Sequence, residues 1–228
     1  MTDSLPDGCH ALIVGASGLT GSALLRLLLD APHVARVTAL VRRRLPIDHA
    51  KLEQVELDFA ELEQRRELIR ADIVYCCLGT TIRKAGSEAR FKTVDYFYPL
   101  TLAMLAKMNG VPSFAAISSL GANADSPTFY LKTKGQLENA LKALAFDQLL
   151  LVRPSLLTGE RQEFRLAERL SLAAGRLVSP LLLGWLRRYQ PIAAEVVAWN
   201  LLQATRDVGH GTNIIESEQL AARYASRR

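Results

Sequence analysis

Residues 11–21 read ALIVGASGLTG. An apolar run ends at Gly15, glycines recur at 18 and 21, and residues 19–29 are leucine-rich with small residues at their start. A short apolar run, a glycine and then helical composition spell strand, tight turn, helix. Each glycine has its own task in such a turn. Gly15 permits the sharp exit from the strand, Gly18 lets backbone amides approach a pyrophosphate at the helix N-terminus, and Gly21 allows close helix–strand packing. The stretch predicts a dinucleotide-binding sheet, against the plainer alternative of a glycine-rich connection that holds no ligand.

The same rhythm continues along the chain. Residues 37–41, 55–57, 73–78, 114–117 and 149–152 read as strands, and residues 59–70, 94–108 and 130–145 as helices between them. Strands separated by helices need right-handed crossovers, so the fold class is α/β, a doubly wound, Rossmann-like parallel sheet made of two βαβ halves. After Pro154 the pattern changes. Residues 162–186 are helical in composition, arginine-rich and broken by Gly175, Pro180 and Gly184. Residues 155–192 are therefore expected to form a small helical substrate cap. Residues 193–206 and 216–224 return to helix, with 213–215 as an edge strand. No repeat, low-complexity segment or linker is visible, so residues 1–228 are expected to form a single domain.

With 228 residues, 49% of them hydrophobic and 22% charged, the chain is long enough to bury a sizeable core, which excludes disorder as its main state. Lysine and arginine number 28 against 23 acids, a net charge of +5. That favours anionic ligands, and no nucleic-acid motif accompanies it. Cys9, Cys76 and Cys77 fit neither a disulfide framework nor a metal site, which points to a reducing, cytoplasmic setting. Cys76 and Cys77 read as buried strand residues. The polar N-terminus does not resemble a signal peptide, and the longest apolar tract, residues 177–186, is too short to span a bilayer. Neither nucleic acid nor membrane is an expected partner. The four histidines are scattered, so no metal is expected.

The second strand ends in LVRRR, which places Arg42 at the distance from Gly21 where an acid would bond a ribose 2′-hydroxyl and an arginine a 2′-phosphate. Arg42 and Arg43 predict NADP(H) over NAD(H), the alternative being a solvated charge run. Tyr130 and Lys134 stand i and i+4 on one helix face, where an ammonium favours phenolate and a tyrosine becomes able to exchange a proton. Ser119, in the pair Ser118-Ser119 at the end of a strand, is expected to orient a substrate oxygen. Arg161, Arg165 and Arg169 also share a helix face, suited to an anionic substrate or to pairing with Glu160, Glu163 and Glu168.

These motifs together, GASGLTG, Ser118-Ser119, Tyr130-x-x-x-Lys134 and Arg153-Pro154, resemble the short-chain dehydrogenase/reductase superfamily. CLGTT (77–81), SSLGA (118–122), FYLKTKGQLE (129–138) and RPSLLTGERQEFR (153–165) resemble more narrowly its atypical branch, which contains the HIV Tat-interacting-protein-like oxidoreductases. The resemblance implies NADP(H) bound with Gly15, Ser17, Gly18 and Leu19 on the pyrophosphate. It places Arg42 and Arg43 on the 2′-phosphate, Leu78 and Gly79 beside the adenosine, and the Ser, Tyr and Lys positions at the nicotinamide. Asp95 departs from it, standing near where many members carry a helix asparagine that positions a relay water.

The leading expectation is an NADPH-dependent oxidoreductase acting on a small carbonyl or alcohol. A sugar-nucleotide epimerase or dehydratase is disfavoured by the 74 residues after Pro154, too few for a nucleotide lobe, and by the arginine run. From another class, an NADP(H)-sensing regulator that presents a surface to a protein partner would need the glycine turn and no proton donor.

Overall fold

The computed structural model describes residues 8–159 and 188–227. Its strands are β1 (Cys9–Val14), β2 (Val34–Val41), β3 (Leu52–Glu56), β4 (Ile73–Cys76), β5 (Ser113–Ile117), β6 (Gln148–Arg153), β7 (Leu157–Thr158), β8 (Ile192–Ala193) and β9 (Gly211–Glu216). Its helices are α1 (Leu19–Asp30), α2 (Ile82–Ala85), α3 (Glu88–Lys92), α4 (Tyr98–Met108), α5 (Phe129–Ala143), α6 (Ala194–Asp207) and α7 (Ser217–Ala225). Seven strands form one parallel sheet in the order β3-β2-β1-β4-β5-β6-β9, while β7 and β8 pair separately.

The period of two along a strand decides which helix each residue meets. On β1, Ala11 and Ile13 join a core with Leu24, Leu25 and Leu28 of α1 and Val197, Ala198 and Leu201 of α6. Leu12 and Val14 join the opposite core, with Leu102 and Ala106 of α4 and Leu137 and Leu141 of α5. Both faces are thus covered, the doubly wound arrangement expected of a nearly continuous apolar strand. The order reverses direction at β1 and β4, so the crevice for a ligand lies beyond their C-terminal ends.

The register makes this concrete. Leu40, Val14, Cys76, Ala116, Leu151 and Ile214 form one continuous row across the sheet. Just past that row, the chain carries Arg42 and Arg43, the Gly15–Gly21 turn, Leu78 and Gly79, Ser118 and Ser119, and Arg153. The segments singled out in the sequence therefore emerge along one edge.

Three expectations need correction. Residues 59–70 do not form a regular amphipathic helix but 3-10 turns over Phe59–Leu68, kinked at Arg65 (φ −116°, ψ 32°). Only Phe59 and Leu62 are buried there, too narrow a stripe to hold a full helix on the sheet. The strand expected to run to residue 78 stops at Cys76, because Cys77 and Leu78 turn away against Gly15. Cys77 is accordingly half-buried beyond the strand rather than buried within it. The helix expected over 94–108 is broken by a π turn, Thr93–Phe97, between α3 and α4. The edge strand near residue 214 and the two last helices form as read. Of the expected cap, residues 160–187 lie outside the described residues, with Arg161, Arg165 and Arg169 among them. What is described is the β7–β8 pair, Leu157 opposite Ile192 and Thr158 opposite Ala193, which brackets that segment.

Candidate active site

The glycine turn is built by close approach of backbone to backbone. Gly15 stands at φ +77°, and a Cβ on it would lie 2.4 Å from the Cys77 carbonyl oxygen. A Cβ on Gly21 would lie 2.2 Å from the Gly15 carbonyl oxygen, so α1 can start against the turn only if residue 21 is glycine. A Cβ on Gly18 would meet just the carbonyl oxygens of Gly15, at 3.0 Å, and Cys77, at 3.9 Å. Gly18 caps α1 in an extended conformation (φ −74°, ψ 168°) without a side-chain cap bond, and no acid sits in the first turn of the helix. The leading N–H groups of α1, beside the exposed Ser17 and the half-buried Leu19, are therefore left to a ligand or to water. Partial positive charge from the helix suits a phosphate there.

Arg42 and Arg43, with Arg44, are exposed just past β2 and form no ion pair with another described residue. Gly79 is exposed and Leu78 half-buried at the end of β4, next to the turn. The residues present thus fit a dinucleotide: uncapped amides, an unobstructed turn and uncommitted arginines at the same edge of the sheet.

The second cluster lies on α5 and the segments that face it. Gly135, which sequence reasoning passed over, lets α5 touch the β5–α5 loop: a Cβ there would lie 2.2 Å from Asn123 C and Ala124 N. Its signal was a glycine inside an otherwise helical run. The loop also donates from Asn123 N to the Leu131 carbonyl at 3.2 Å. The segment carrying Ser119 is thereby held against the helix carrying Tyr130 and Lys134.

The two serines part company. Ser118 is buried, and its hydroxyl donates to Glu138 Oε1 at 2.5 Å. Glu138, itself 1% exposed, is gripped by Arg153 through Nε at 2.9 Å and Nη2 at 2.6 Å, and Arg153 reaches Glu216 at 2.7 Å. This network ties the C-terminal ends of β5, β6 and β9 to the body of α5. Ser119 is half-buried and outside that network, its hydroxyl 3.4 Å from the Leu120 carbonyl.

Tyr130 is half-buried, its ring centroid 5.5 Å from that of the buried Phe91. Lys134, one turn further on, is buried, and its ammonium lies 2.7 Å from Asp95 Oδ1. Asp95 Oδ2 accepts from the Thr80 N–H at 2.8 Å. Burial pulls the lysine toward losing its proton, but Asp95 and then Tyr130 oppose that pull, and the net effect raises the pKa of Lys134 above its ordinary value. The ammonium is therefore charged throughout the neutral range, and the stability it contributes is lost only as pH rises through that raised value. Cys76, beside this pair, is pushed up to about 11 by burial, and Cys77 is pushed up for the same reason. Both are thiols near neutrality, a state that disfavours nucleophilic work.

Among the described residues, no cluster of three or more His, Cys, Asp or Glu could hold a metal ion, and no helix is long and apolar enough to cross a membrane.

The NAD(P)H-binding family matches residues 15–179. The mitochondrial protein FMP52 of Candida albicans is 36% identical over 156 residues, 66% of this chain and 68% of that protein. The HTATIP2 protein of Rattus norvegicus is 39% identical over 163 residues, 70% of this chain and 67% of that protein. Among solved structures, the enzyme WbmH of Bordetella bronchiseptica with NAD+ superposes with a TM-score of 0.68 at 18% identity, covering 95% of this chain and 79% of that one. A short chain dehydrogenase of Burkholderia cenocepacia with NADP gives 0.67 at 18% identity, covering 97% and 94%. At such identities the structures speak for the fold, whereas the family match and the two relatives place the sequence itself. The chain belongs to the NAD(P)H-binding family, in the atypical short-chain dehydrogenase/reductase branch of the FMP52 and HTATIP2 proteins.

Proposed function

We propose that the protein is an NADPH-dependent oxidoreductase that transfers a hydride to or from a small carbonyl or alcohol substrate. The observation that carries this reading is the buried, charged Lys134 one helical turn from Tyr130, at the sheet edge where the glycine turn also opens. A bound NADPH supplies the hydride. Gly15, Ser17, Gly18 and Leu19 hold the pyrophosphate, Leu78 and Gly79 border the adenosine, and Arg42 and Arg43 pair with the 2′-phosphate. Ser119 donates a hydrogen bond to the substrate oxygen and orients the carbonyl. Tyr130 gives its phenolic proton to that oxygen as the carbonyl carbon is reduced, and the ammonium of Lys134 opposes the phenolate left behind. In the alcohol-oxidising direction the same groups take the proton back. A cytoplasmic setting belongs to the same proposal and is checked by cell fractionation.

Calorimetric titration with NADPH and NADH, followed by a screen of aldehydes, ketones and quinones for NADPH oxidation, tests the reading. Tight NADPH binding with turnover of a carbonyl is the expected result. Replacing Lys134 by Ala should weaken NADPH binding as well as turnover, because in this reading the ammonium would also hold the nicotinamide ribose. A Lys134→Ala protein that binds NADPH as the wild type does, with no carbonyl turned over by either, would overturn the enzyme in favour of a cofactor-sensing regulator.

A further inference from the structure

Asp95 is 1% exposed and sits in the π turn Thr93–Phe97 that separates α3 from α4. Such a turn adds a residue to the helical circuit and redirects the side chains on it, and it recurs at functional sites. Here the redirected carboxylate serves two segments at once, Oδ1 meeting Lys134 Nζ at 2.7 Å and Oδ2 accepting from Thr80 N at 2.8 Å. Gly79 packs on the same group, a Cβ there lying 3.6 Å from Oδ1. At the end of α3, just before the π turn, Phe91 touches the ring of Tyr130. One short stretch of chain thus bears on Tyr130, on Lys134 and on the loop that follows β4.

Building on the reading of Lys134 as part of the proton-transfer machinery, we propose that Asp95 is the positioning residue of this site, holding the Lys134 ammonium and fastening the Gly79–Thr80 floor of the cofactor cleft to the catalytic helix. A carboxylate at this position does what an amide cannot. A buried ammonium without a counter-charge gives up its proton by several pH units. The groups facing Lys134 are Asp95 from the π turn, Tyr130 from its own helix and the Cys76 thiol from β4, and of these only Asp95 brings a carboxylate, at 2.7 Å. Its second oxygen makes the position of Lys134 depend on the loop beside the adenosine, so the cofactor cleft and the proton-transfer helix are set by one side chain.

Two arms test this without relying on turnover. In the first, side-chain 15N-labelled lysine is followed by NMR through a pH titration of the cofactor-free protein, with the Lys134 signal assigned by its loss in Lys134→Met. Asp95→Asn should bring the Lys134 titration down by about two pH units or more. Where the variant is too unstable for NMR, its thermal midpoint should rise with pH above neutrality, because deprotonation relieves the uncompensated charge, whereas that of the wild type should not. A Lys134 titration in Asp95→Asn that matches the wild type overturns the proposal.

The second arm reads the Thr80 contact in a Lys134→Met background, where no buried charge is left alone. NADPH affinity should fall about fivefold further with Asp95→Ala than with Asp95→Asn, whose amide oxygen still accepts from Thr80. Equal affinities overturn that half. The proposed function fails separately: if Lys134 titrates lower in Asp95→Asn while the alkaline limb of turnover stays where it was, Asp95 still holds the ammonium and Lys134 is not in the proton path.

Discussion

The two halves of the cleft are made of different materials. The Gly15–Gly21 turn is almost all backbone: it works because side chains are missing, so that Gly15 can press on Cys77 and Gly21 on Gly15. The Tyr130–Lys134 half is all side chain, held by a buried ion pair, an aromatic contact and a charged network one layer behind. A backbone cradle is specified by a run of seven residues and can hardly be adjusted. A side-chain constellation depends on partners far away in sequence, so its chemistry can be retuned by one substitution.

The sharpest test of that contrast is the Tyr130 hydroxyl. Tyr130→Phe keeps the ring against Phe91 and removes only the hydroxyl proposed as proton donor, so turnover should fall by roughly a hundredfold to ten-thousandfold while NADPH affinity stays within a few-fold. Steady-state kinetics paired with calorimetry reads both. A variant that retains turnover would put the donor elsewhere.

The backbone half should break differently. Gly21→Ala forces a Cβ into the Gly15 carbonyl, which lies on rigid main chain, and is expected to destabilise the fold by about 3 kcal/mol in denaturant titrations. Gly18→Val meets the same carbonyl oxygen only at 3.0 Å from its Cβ, against 2.2 Å for Gly21, and should leave a folded protein, as judged by circular dichroism, that no longer binds NADPH. Wild-type affinity in Gly18→Val would reduce the turn to a connection.

The same contrast explains what was legible in the sequence. The strands, their order of appearance and the glycine turn could be read because the information is contiguous: short apolar runs, a glycine spacing, a helical composition. The i, i+4 pair of Tyr130 and Lys134 is equally local. Asp95 stood out only as a departure from a pattern, and its partner could not be read because the contact with Lys134 is made by the packing of the π turn against α5. An acid between Val94 and Tyr96 in an apolar helix was the available signal, since a buried carboxylate needs a counter-charge. Glu138 was missed for the same reason: beside Lys134, Lys142 and Gln136 it looks like one more solvated charge, yet it is buried under Arg153. The 3-10 stretch over Phe59–Leu68 misled in the other direction, its charges giving helical composition to a segment with two anchors.

Cofactor choice comes next in size. Arg42 and Arg43 are exposed and form no ion pair with a described residue, so they are available to a 2′-phosphate without first breaking another contact. Charge-assisted contacts of this kind contribute about 1.5–3 kcal/mol, or roughly tenfold to a hundredfold in affinity. Calorimetry should show NADPH preferred over NADH by that factor, and the double substitution Arg42→Ala, Arg43→Ala should abolish the preference while leaving NADH affinity nearly unchanged. Equal affinities in the wild type would return the arginines to the solvated surface.

The smallest expected effects separate the two adjacent serines, and they separate them by kind. Ser118 has its hydroxyl on Glu138 inside a buried network, so Ser118→Ala leaves that carboxylate one donor short while Arg153 still holds it. The expected cost is about 1–2 kcal/mol of stability, with kcat close to wild type. Ser119 contributes no bond to that network, and Ser119→Ala should leave the melting temperature within about a degree or two. Its loss should instead appear in kcat/KM, because the hydroxyl proposed to steady the substrate oxygen is gone while the glycine turn, Tyr130 and the Lys134–Asp95 pair are untouched. Thermal melts and kinetics on the two single variants decide the matter in one experiment. If the melting loss fell on Ser119 and the kinetic loss on Ser118, the substrate would approach from the Glu138 side of β5, and the buried network would belong to the chemistry rather than to the frame.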